Sequence, residues 1–191
     1  MNRLIWSAGF LLFGIHTIVV AETSRQVDQE TGLIGWQWTG GGMQLELKQR
    51  LPDQTRGFFI GRGFSPELAD DIAIRCVFQT IVRNVSENDR PITVALNTWH
   101  SRSAGDIRPI KLKEQWDREW TSAQVSQRSR LAFRWATFPT QQTFVTRSDY
   151  NWGMISFDWP PGTVFNLHVV WHEGERQRDI WVKGIECPQD R

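Results

Sequence analysis

Near the carboxyl end of the chain, apolar side chains recur at every second position. The apolar members of this run are Phe165, Leu167, Val169 and Trp171. A charged turn around Gly174 follows, and residues 180–185 form a second apolar run. Because successive side chains of a β-strand point to opposite faces, this period of two predicts a β-hairpin with one buried face.

Four further segments have the composition of strands. Met43 to Leu47 alternates apolar and polar residues, and Trp152 to Phe157 is rich in strand formers. Cys76 to Val82 and Ile92 to Trp99 are joined by a polar turn, which predicts that these two runs pair as another hairpin. The chain is therefore predicted to be mainly β, either an Ig-like β-sandwich or a partly closed barrel, with one or two short helices.

The short helices have local signals of their own. Ser65 precedes Pro66, and Ser at an N-cap with Pro at the first helical position predicts a helix start. Trp116 and Trp120 lie four residues apart among charged residues, which predicts a second, amphipathic helix.

Two segments in the middle of the chain are ambiguous. Residues 101–113 have the composition of an irregular loop. Leu131, Phe133 and Trp135 alternate, which favours a strand, although the polar segment before them also suits a helix. Both alternatives stay open for residues 119–137.

The amino-terminal residues resemble a secretory leader. Arg3 gives a positive start, the stretch from Leu4 to Ala21 carries no charge, and it ends on a small residue. This pattern predicts a signal peptide over residues 1–21 and an exported single β-rich domain over residues 22–191. The predicted location is the periplasm, with secretion as the alternative. The alternative is an uncleaved anchor, since the apolar stretch is near the lower limit for spanning a bilayer.

The chain has only two cysteines, Cys76 and Cys187. An isolated pair in an oxidising compartment usually forms a disulfide, so we predict a bridge that ties the end of the chain to its core. A metal site is the alternative, but neither cysteine lies in a CxxC spacing or beside a histidine.

Charge and motif content argue against several classes of function. Acidic and basic residues are equal in number after the predicted leader, which disfavours nucleic acid and strong attachment to anionic membranes. No later stretch resembles a membrane span, so we expect no insertion into a membrane after cleavage of the leader. The sequence lacks the GxSxG, HExxH and Gly-rich phosphate-loop signatures. We therefore expect a non-catalytic protein whose partner is another periplasmic protein.

Metal chemistry after the leader depends on His100, His168 and His172. No cofactor is required by the sequence, but copper would suit these imidazoles together with the thioether of Met154. The alternative is that the three are ordinary half-exposed strand histidines.

Tryptophan is abundant, with eleven in the chain. The aromatic residues Trp36, Trp38, Tyr150 and Trp152 lie next to predicted turns and are candidates for a ligand or partner surface. The sequence thus predicts an exported binding or assembly accessory protein that serves a copper or electron-transfer system. The alternatives are a carbohydrate-binding module that uses exposed Trp residues and a periplasmic copper carrier.

Overall fold

The computed structural model describes residues 23–123 and 125–190, which form two antiparallel β-sheets and four helices. The predicted signal peptide, residues 1–21, lies outside the described residues. Within the described ranges, no helix combines the length and apolarity needed to cross a bilayer.

The described residues contain eleven strands and four α-helices. The strands are β1 Ser24–Val27, β2 Ile34–Gly40, β3 Met43–Gln49, β4 Cys76–Asn84, β5 Ile92–Ala95, β6 His100–Ser103, β7 Asp106–Pro109, β8 Gln141–Phe144, β9 Tyr150–Phe157, β10 Val164–Glu173 and β11 Arg176–Glu186. The helices are α1 Pro52–Ile60, α2 Pro66–Ala73, α3 Lys113–Ser122 and α4 Gln127–Ala136.

The first sheet has the order β1-β2-β3-β4-β9, with all neighbours antiparallel. The alternation predicted for β3 is present, because Met43, Leu45 and Leu47 are buried while Gln44 and Glu46 point to the other face. One face of this sheet therefore lines the core between the sheets.

The second sheet is organised around β10. Strand β11 pairs along one edge of β10, while β6 and β5 share its other edge. Strands β7 and β8 continue outward from β6 and β5. The predicted carboxyl-terminal hairpin is confirmed as β10–β11, and Phe165, Leu167, Val169 and Trp171 are all buried.

The two sheets enclose a single large apolar core, and the disulfide is part of it. Cys76, at the start of β4, is bonded to Cys187, just after β11, as predicted. The bridge spans 111 residues of sequence, and closing a loop of that order stabilises a fold by about 4.7 kcal/mol in the chain-entropy model. The mainly β, sandwich-like fold is confirmed, and the described strands do not close into a barrel.

The predicted pairing of Cys76–Val82 with Ile92–Trp99 is wrong. Strand β4 pairs with β3 and β9 in the first sheet, whereas β5 pairs with β10 and β8 in the second. The connector crosses between the sheets, and the buried side chain of Asn84 fixes it by donating to the carbonyls of Arg90 and Phe144. The polar connector looked like a hairpin turn because strand composition does not reveal which partner a strand takes.

The preference for a strand around Leu131, Phe133 and Trp135 is also wrong, since these residues lie in α4. The hydroxyl of Ser126 caps this helix by accepting from the backbone N–H of Ser129. Burial in α4 follows helical spacing through Ser129, Phe133 and Ala136, whereas Leu131 and Trp135 are exposed.

The other short elements are partly as predicted. The helices expected at Pro66 and around Trp116 and Trp120 are α2 and α3, and the Ser65 hydroxyl accepts from the N–H of Leu68. Helix α1 was not predicted, since its apolar residues lack a clear helical period. The segment predicted as an irregular loop contains the β6–β7 hairpin.

The four helices form a layer on the outer face of the first sheet, at the end made by β4 and β9. Aromatic rings hold the layer together, with Phe133 packed against the rings of Phe59, Trp116 and Trp120. This second apolar cluster also contains Val77 of β4 and Met154 of β9, which fix the layer to the sheet. We call this set of helices the helical layer.

Candidate functional site

A groove of about 490 Å³ opens where the helical layer meets the outer face of the first sheet. Its volume is within the range typical of ligand-binding sites. Strands β4 and β9 contribute its floor, and α1 and α4 contribute its walls. The lining residues are Arg50, Phe58, Arg62, Gln79, Arg128, Leu131, Ala132, Trp135, Ala136, Trp152 and Met154.

The carboxyl end of α4 is pressed against β9 at a glycine. The N–H of Phe138 donates to the carbonyl of Met154 over 3.0 Å, and Thr137 forms a β-bridge with Met154. A Cβ at Gly153 would lie 2.4 Å from the backbone nitrogen of Phe138, closer than non-bonded atoms approach. Glycine at this position therefore allows the close contact between the end of α4 and β9, two of the elements that line the groove.

Polar contacts also hold α4, from its first turn to its last. The Ser129 hydroxyl donates to the carbonyl of Gly63, and Asp117 of α3 accepts from Arg130 and Arg134 over 2.7 and 2.5 Å. These guanidiniums hold the pKa of the Asp117 carboxyl below its ordinary value. The wall of the groove is thus fixed at both ends.

Two tryptophans are exposed along the groove. The side chain of Trp135, on α4, is 81% exposed and that of Trp152, on β9, is 57% exposed. Large exposed rings in a concave surface are unusual for a monomer and are typical of binding sites. Trp152 was predicted as a surface residue, and its exposure is confirmed.

The other three aromatic residues predicted to lie on the surface differ in their exposure. Tyr150 is 56% exposed on β9, with the guanidinium of Arg83 4.6 Å from its ring centre. Trp36 and Trp38 are each 3% exposed, so the prediction that they lie on the surface is wrong. Their alternation along β2 turns both rings into the core, where Trp38 packs against Trp171.

Three arginines supply the charge of the groove, and no carboxylate lines it. Among the described residues, Arg50, Arg62 and Arg128 form no salt bridge. The guanidinium carbons of Arg62 and Arg50 lie 3.3 and 5.2 Å from the ring centre of Phe58. Burial, with repulsion from Arg62 as a second cause, lowers the pKa of Arg50.

Two side-chain nitrogen atoms of residues that line the groove have no hydrogen-bond acceptor in the described part of the chain. The Nε of Arg50 and the Nε2 of Gln79 are both buried, and neither finds an acceptor among the described residues. A buried donor without an acceptor costs free energy. A small shift of either side chain that brings its donor to an acceptor in the groove would therefore be favourable.

The four predicted metal ligands do not come together at one point. His100 of β6 lies opposite His168 of β10, on the outer face of the second sheet, with ring centres 4.7 Å apart. His172 lies four residues further along β10, exposed and opposite Thr93. Met154 does not join them, because it is buried under the helical layer on the first sheet.

The pair formed by His100 and His168 has defined partners. His168 Nε2 lies 2.9 Å from the carboxylate of Asp179, while His168 Nδ1 is buried and has no partner among the described residues. The ring of Trp181 packs on both imidazoles, with centres 4.8 Å from His168 and 5.3 Å from His100. Burial lowers the pKa of His100, and the neighbouring His168 and Arg102 lower it further.

No group of three or more His, Cys, Asp or Glu side chains within the described ranges is arranged to hold a metal ion. The histidine pair can therefore offer two imidazoles at most. A zinc site would need three or four protein ligands.

Comparisons with protein-family models, curated proteins and solved structures found no match. The function must therefore be argued from the groove and from the histidine pair. Sequence reasoning identified His100, His168 and Trp152 but missed Trp135 and the arginines of the groove. Arg128 lies at the start of a helix, where a positive charge is unfavourable. No other local sequence signal distinguishes the three arginines from solvated surface charges.

Proposed function

We propose that this protein is an exported, non-catalytic binding or assembly protein that holds a segment of a partner protein in the groove. The observation that carries the proposal is the composition of the lining. Arg, Trp, Phe and Met, which are enriched in protein interfaces, make up most of it, and it contains no Lys, Asp or Glu. Trp and Arg are also the residues most frequent at interface hot spots.

Export is part of this proposal. It is supported by the leader-like residues 1–21 and by the Cys76–Cys187 bridge, because structural disulfides are rare in the reducing cytoplasm. The periplasm is the compartment that fits both features.

The proposal is tested by site-specific photo-crosslinking in cells. A photoreactive phenylalanine analogue replaces Trp135, and in a matched control it replaces Val164, which is exposed on the second sheet. A discrete partner should crosslink from position 135 and not from position 164. Trp152→Ala should reduce that crosslink about tenfold, since a central aromatic anchor contributes roughly 1–2 kcal/mol or more. Equal crosslinking from both positions, or none from position 135, would reject the groove as the binding site.

A carbohydrate-binding module is the first alternative. Exposed rings such as Trp135 and Trp152 can stack on sugars. The lining offers only the amide of Gln79 and the three guanidiniums to pair with sugar hydroxyls, and no carboxylate. A neutral oligosaccharide that quenches the fluorescence of wild-type protein, and not that of Trp152→Ala, would favour this alternative.

The second candidate function, a copper carrier, is favoured by the histidine pair. Asp179 holds Nε2 of His168, which leaves the lone pair of the buried Nδ1 for a metal, and a carboxylate on the other ring nitrogen is a usual partner of metal-binding histidines. Cu(I) is the ion that suits this arrangement, because it accepts two soft or imidazole ligands without further donors. Service to a copper or electron-transfer system is part of this second proposal.

Competition for Cu(I) with a chromophoric chelator tests the copper candidate. One equivalent should bind to wild type, and His100→Ala and His168→Ala should each abolish binding. His172→Ala is the matched control and should bind as wild type does. Weak binding that is indifferent to the first two substitutions would remove copper from consideration.

A further inference from the structure

Three arginines gather in the groove, and no carboxylate among the described residues forms a salt bridge with them. Arg50 is partly buried, and the charge of Arg62 is one of the two causes that lower its pKa. The lining contains no carboxylate, although acidic residues are as frequent as basic ones in the described part of the chain. Arg62 and Arg128 are exposed, so an anion that enters the groove can pair with this single-sign cluster and offset the repulsion on Arg50.

The floor of the groove favours oxygen acceptors in particular. Both Arg50 Nε and Gln79 Nε2 are buried donors without a partner in the described structure. A carboxylate accepts several hydrogen bonds at once, and its bonds to guanidinium groups are short and strong. A carboxylate in the groove would therefore pair with guanidinium groups, and it would reach the two covered donors only after the side chains of Arg50 and Gln79 shift.

The rest of the groove suits an apolar group. Leu131 and Trp135 of α4, with Trp152 and Met154 of β9, form apolar surface beside the arginines. Leu131, Trp135 and Trp152 are at least half exposed. A free inorganic anion would leave this surface in water, so the occupant needs an apolar portion as well as an acidic one.

We infer that the groove binds an acidic polypeptide segment, with one or more carboxylates on Arg50, Arg62 and Arg128 and an apolar or aromatic side chain against Trp135 and Trp152. This inference rests on the proposed function and specifies the chemistry of the partner. A polypeptide is favoured over an acidic glycan because the lining matches a protein interface and has only one side-chain amide for sugar hydroxyls.

The experiment begins with a random peptide library displayed on phage and selected on the purified domain. Enriched peptides are synthesised with a fluorescent label, and their Kd values are measured by anisotropy at low and at high salt. Selected sequences should combine Asp or Glu with an aromatic or large aliphatic residue. Their affinity should fall as salt rises, because exposed portions of the ion pairs are screened.

Charge variants then locate the binding site. Arg62→Gln and Arg128→Glu should each weaken binding of an acidic peptide about tenfold or more, since each removes a charge-assisted contact. Arg176→Gln, an exposed arginine on β11 of the other sheet, is the matched control and should leave Kd unchanged. Thermal melting of each variant shows that loss of binding is not loss of fold.

The outcomes separate this inference from the proposed function. If selected peptides lack acidic residues, or bind Arg62→Gln as well as wild type, the acidic partner is excluded. Dependence on Trp135 would then preserve the groove as a protein-binding site, whereas indifference to Trp135→Ala and Trp152→Ala would reject both proposals. An oligouronate that binds with the same arginine dependence, when no peptide is selected, would overturn the polypeptide in favour of an acidic glycan.

Discussion

At the residue scale, the binding role proposed for Arg128 conflicts with local stability. It lies in the first turn of α4, where the helix dipole favours negative charge, and that turn contains no acidic residue. We expect Arg128→Glu to raise the free energy of unfolding by about 0.5–1 kcal/mol through the dipole alone. Urea denaturation of this variant beside Arg176→Glu measures the effect. A loss of stability in Arg128→Glu would mean that Arg128 has a structural role.

His100 is the second residue with a perturbed environment. Burial is the main cause that lowers its pKa, and His168 and Arg102 lower it further, while a hydrogen bond with the backbone of Thr98 acts in the opposite direction. Trp181 also faces the ring. A His with a depressed pKa contributes stability that is present above its unfolded value of about 6.5 and is lost as pH falls through the folded value.

We therefore expect the ring protons of His100 to titrate below pH 6.5 in an NMR titration. Arg102→Gln should move that midpoint upward, because it removes a nearby positive charge. The same low pKa would keep the His100 imidazole neutral, and so able to bind Cu(I), in mildly acidic solution. A midpoint at or above the ordinary value would contradict the burial seen around this ring.

At the scale of elements, the contact between α4 and β9 decides whether the groove exists. Gly153→Ala places a methyl group 2.4 Å from the backbone nitrogen of Phe138, and we expect it to cost about 3 kcal/mol or more, at the upper end of overpacking effects. Gly57→Ala is the matched control, since a Cβ at Gly57 in α1 meets nothing within 4 Å. That control should gain up to about 1 kcal/mol from helix propensity.

Chemical denaturation of the two glycine variants provides the measurement. Opposite changes in the free energy of unfolding would support the packing described for Gly153. If Gly153→Ala were as stable as wild type, α4 would not be pressed against β9 as described, and the shape of the groove would have to be reconsidered.

The helices also show what local sequence can and cannot predict. Ser65 and Pro66 predicted the start of α2 because capping and the fixed backbone of proline act within a few residues. The alternation of Leu131, Phe133 and Trp135 was misleading, because only Phe133 of the three is buried. Burial depends on the ring of Phe59, which is distant in sequence, and on that of Trp120 in the preceding helix.

At the scale of the whole molecule, the disulfide joins the two sheets. Replacing both Cys76 and Cys187 with Ala should lower the free energy of unfolding by up to about 4.7 kcal/mol, most of it through the larger entropy of the unfolded chain. Urea denaturation of the double variant and of oxidised wild type measures the difference. Wild type under reducing conditions should match the variant, and no change in either case would show that the bridge contributes nothing to stability.

The molecule also carries its two candidate sites on opposite outer faces. The groove lies on the first sheet and the pair of His100 and His168 on the second, with the common core between them. Substitutions at one site should therefore leave the other unaffected, since residues without shared partners behave additively. Cu(I) binding by Trp135→Ala and peptide binding by His168→Ala are the two measurements, and a loss in either would reveal coupling through the core.

The sequence by itself determined the features that depend on residues close together in the chain, or on a residue type that occurs only twice. Alternation predicted β3 and β10, strand-forming composition predicted β9 and β11, and the presence of only two cysteines identified the Cys76–Cys187 bridge. Only the tertiary structure decided that β4 and β5 belong to different sheets, that Trp36 and Trp38 are buried, and that His100 faces His168. It also brought Arg50 and Arg62 together with Arg128, from a segment more than sixty residues away. The physical reason is that periodicity and capping act within a few residues, whereas strand partners and grooves follow from packing between segments distant in sequence.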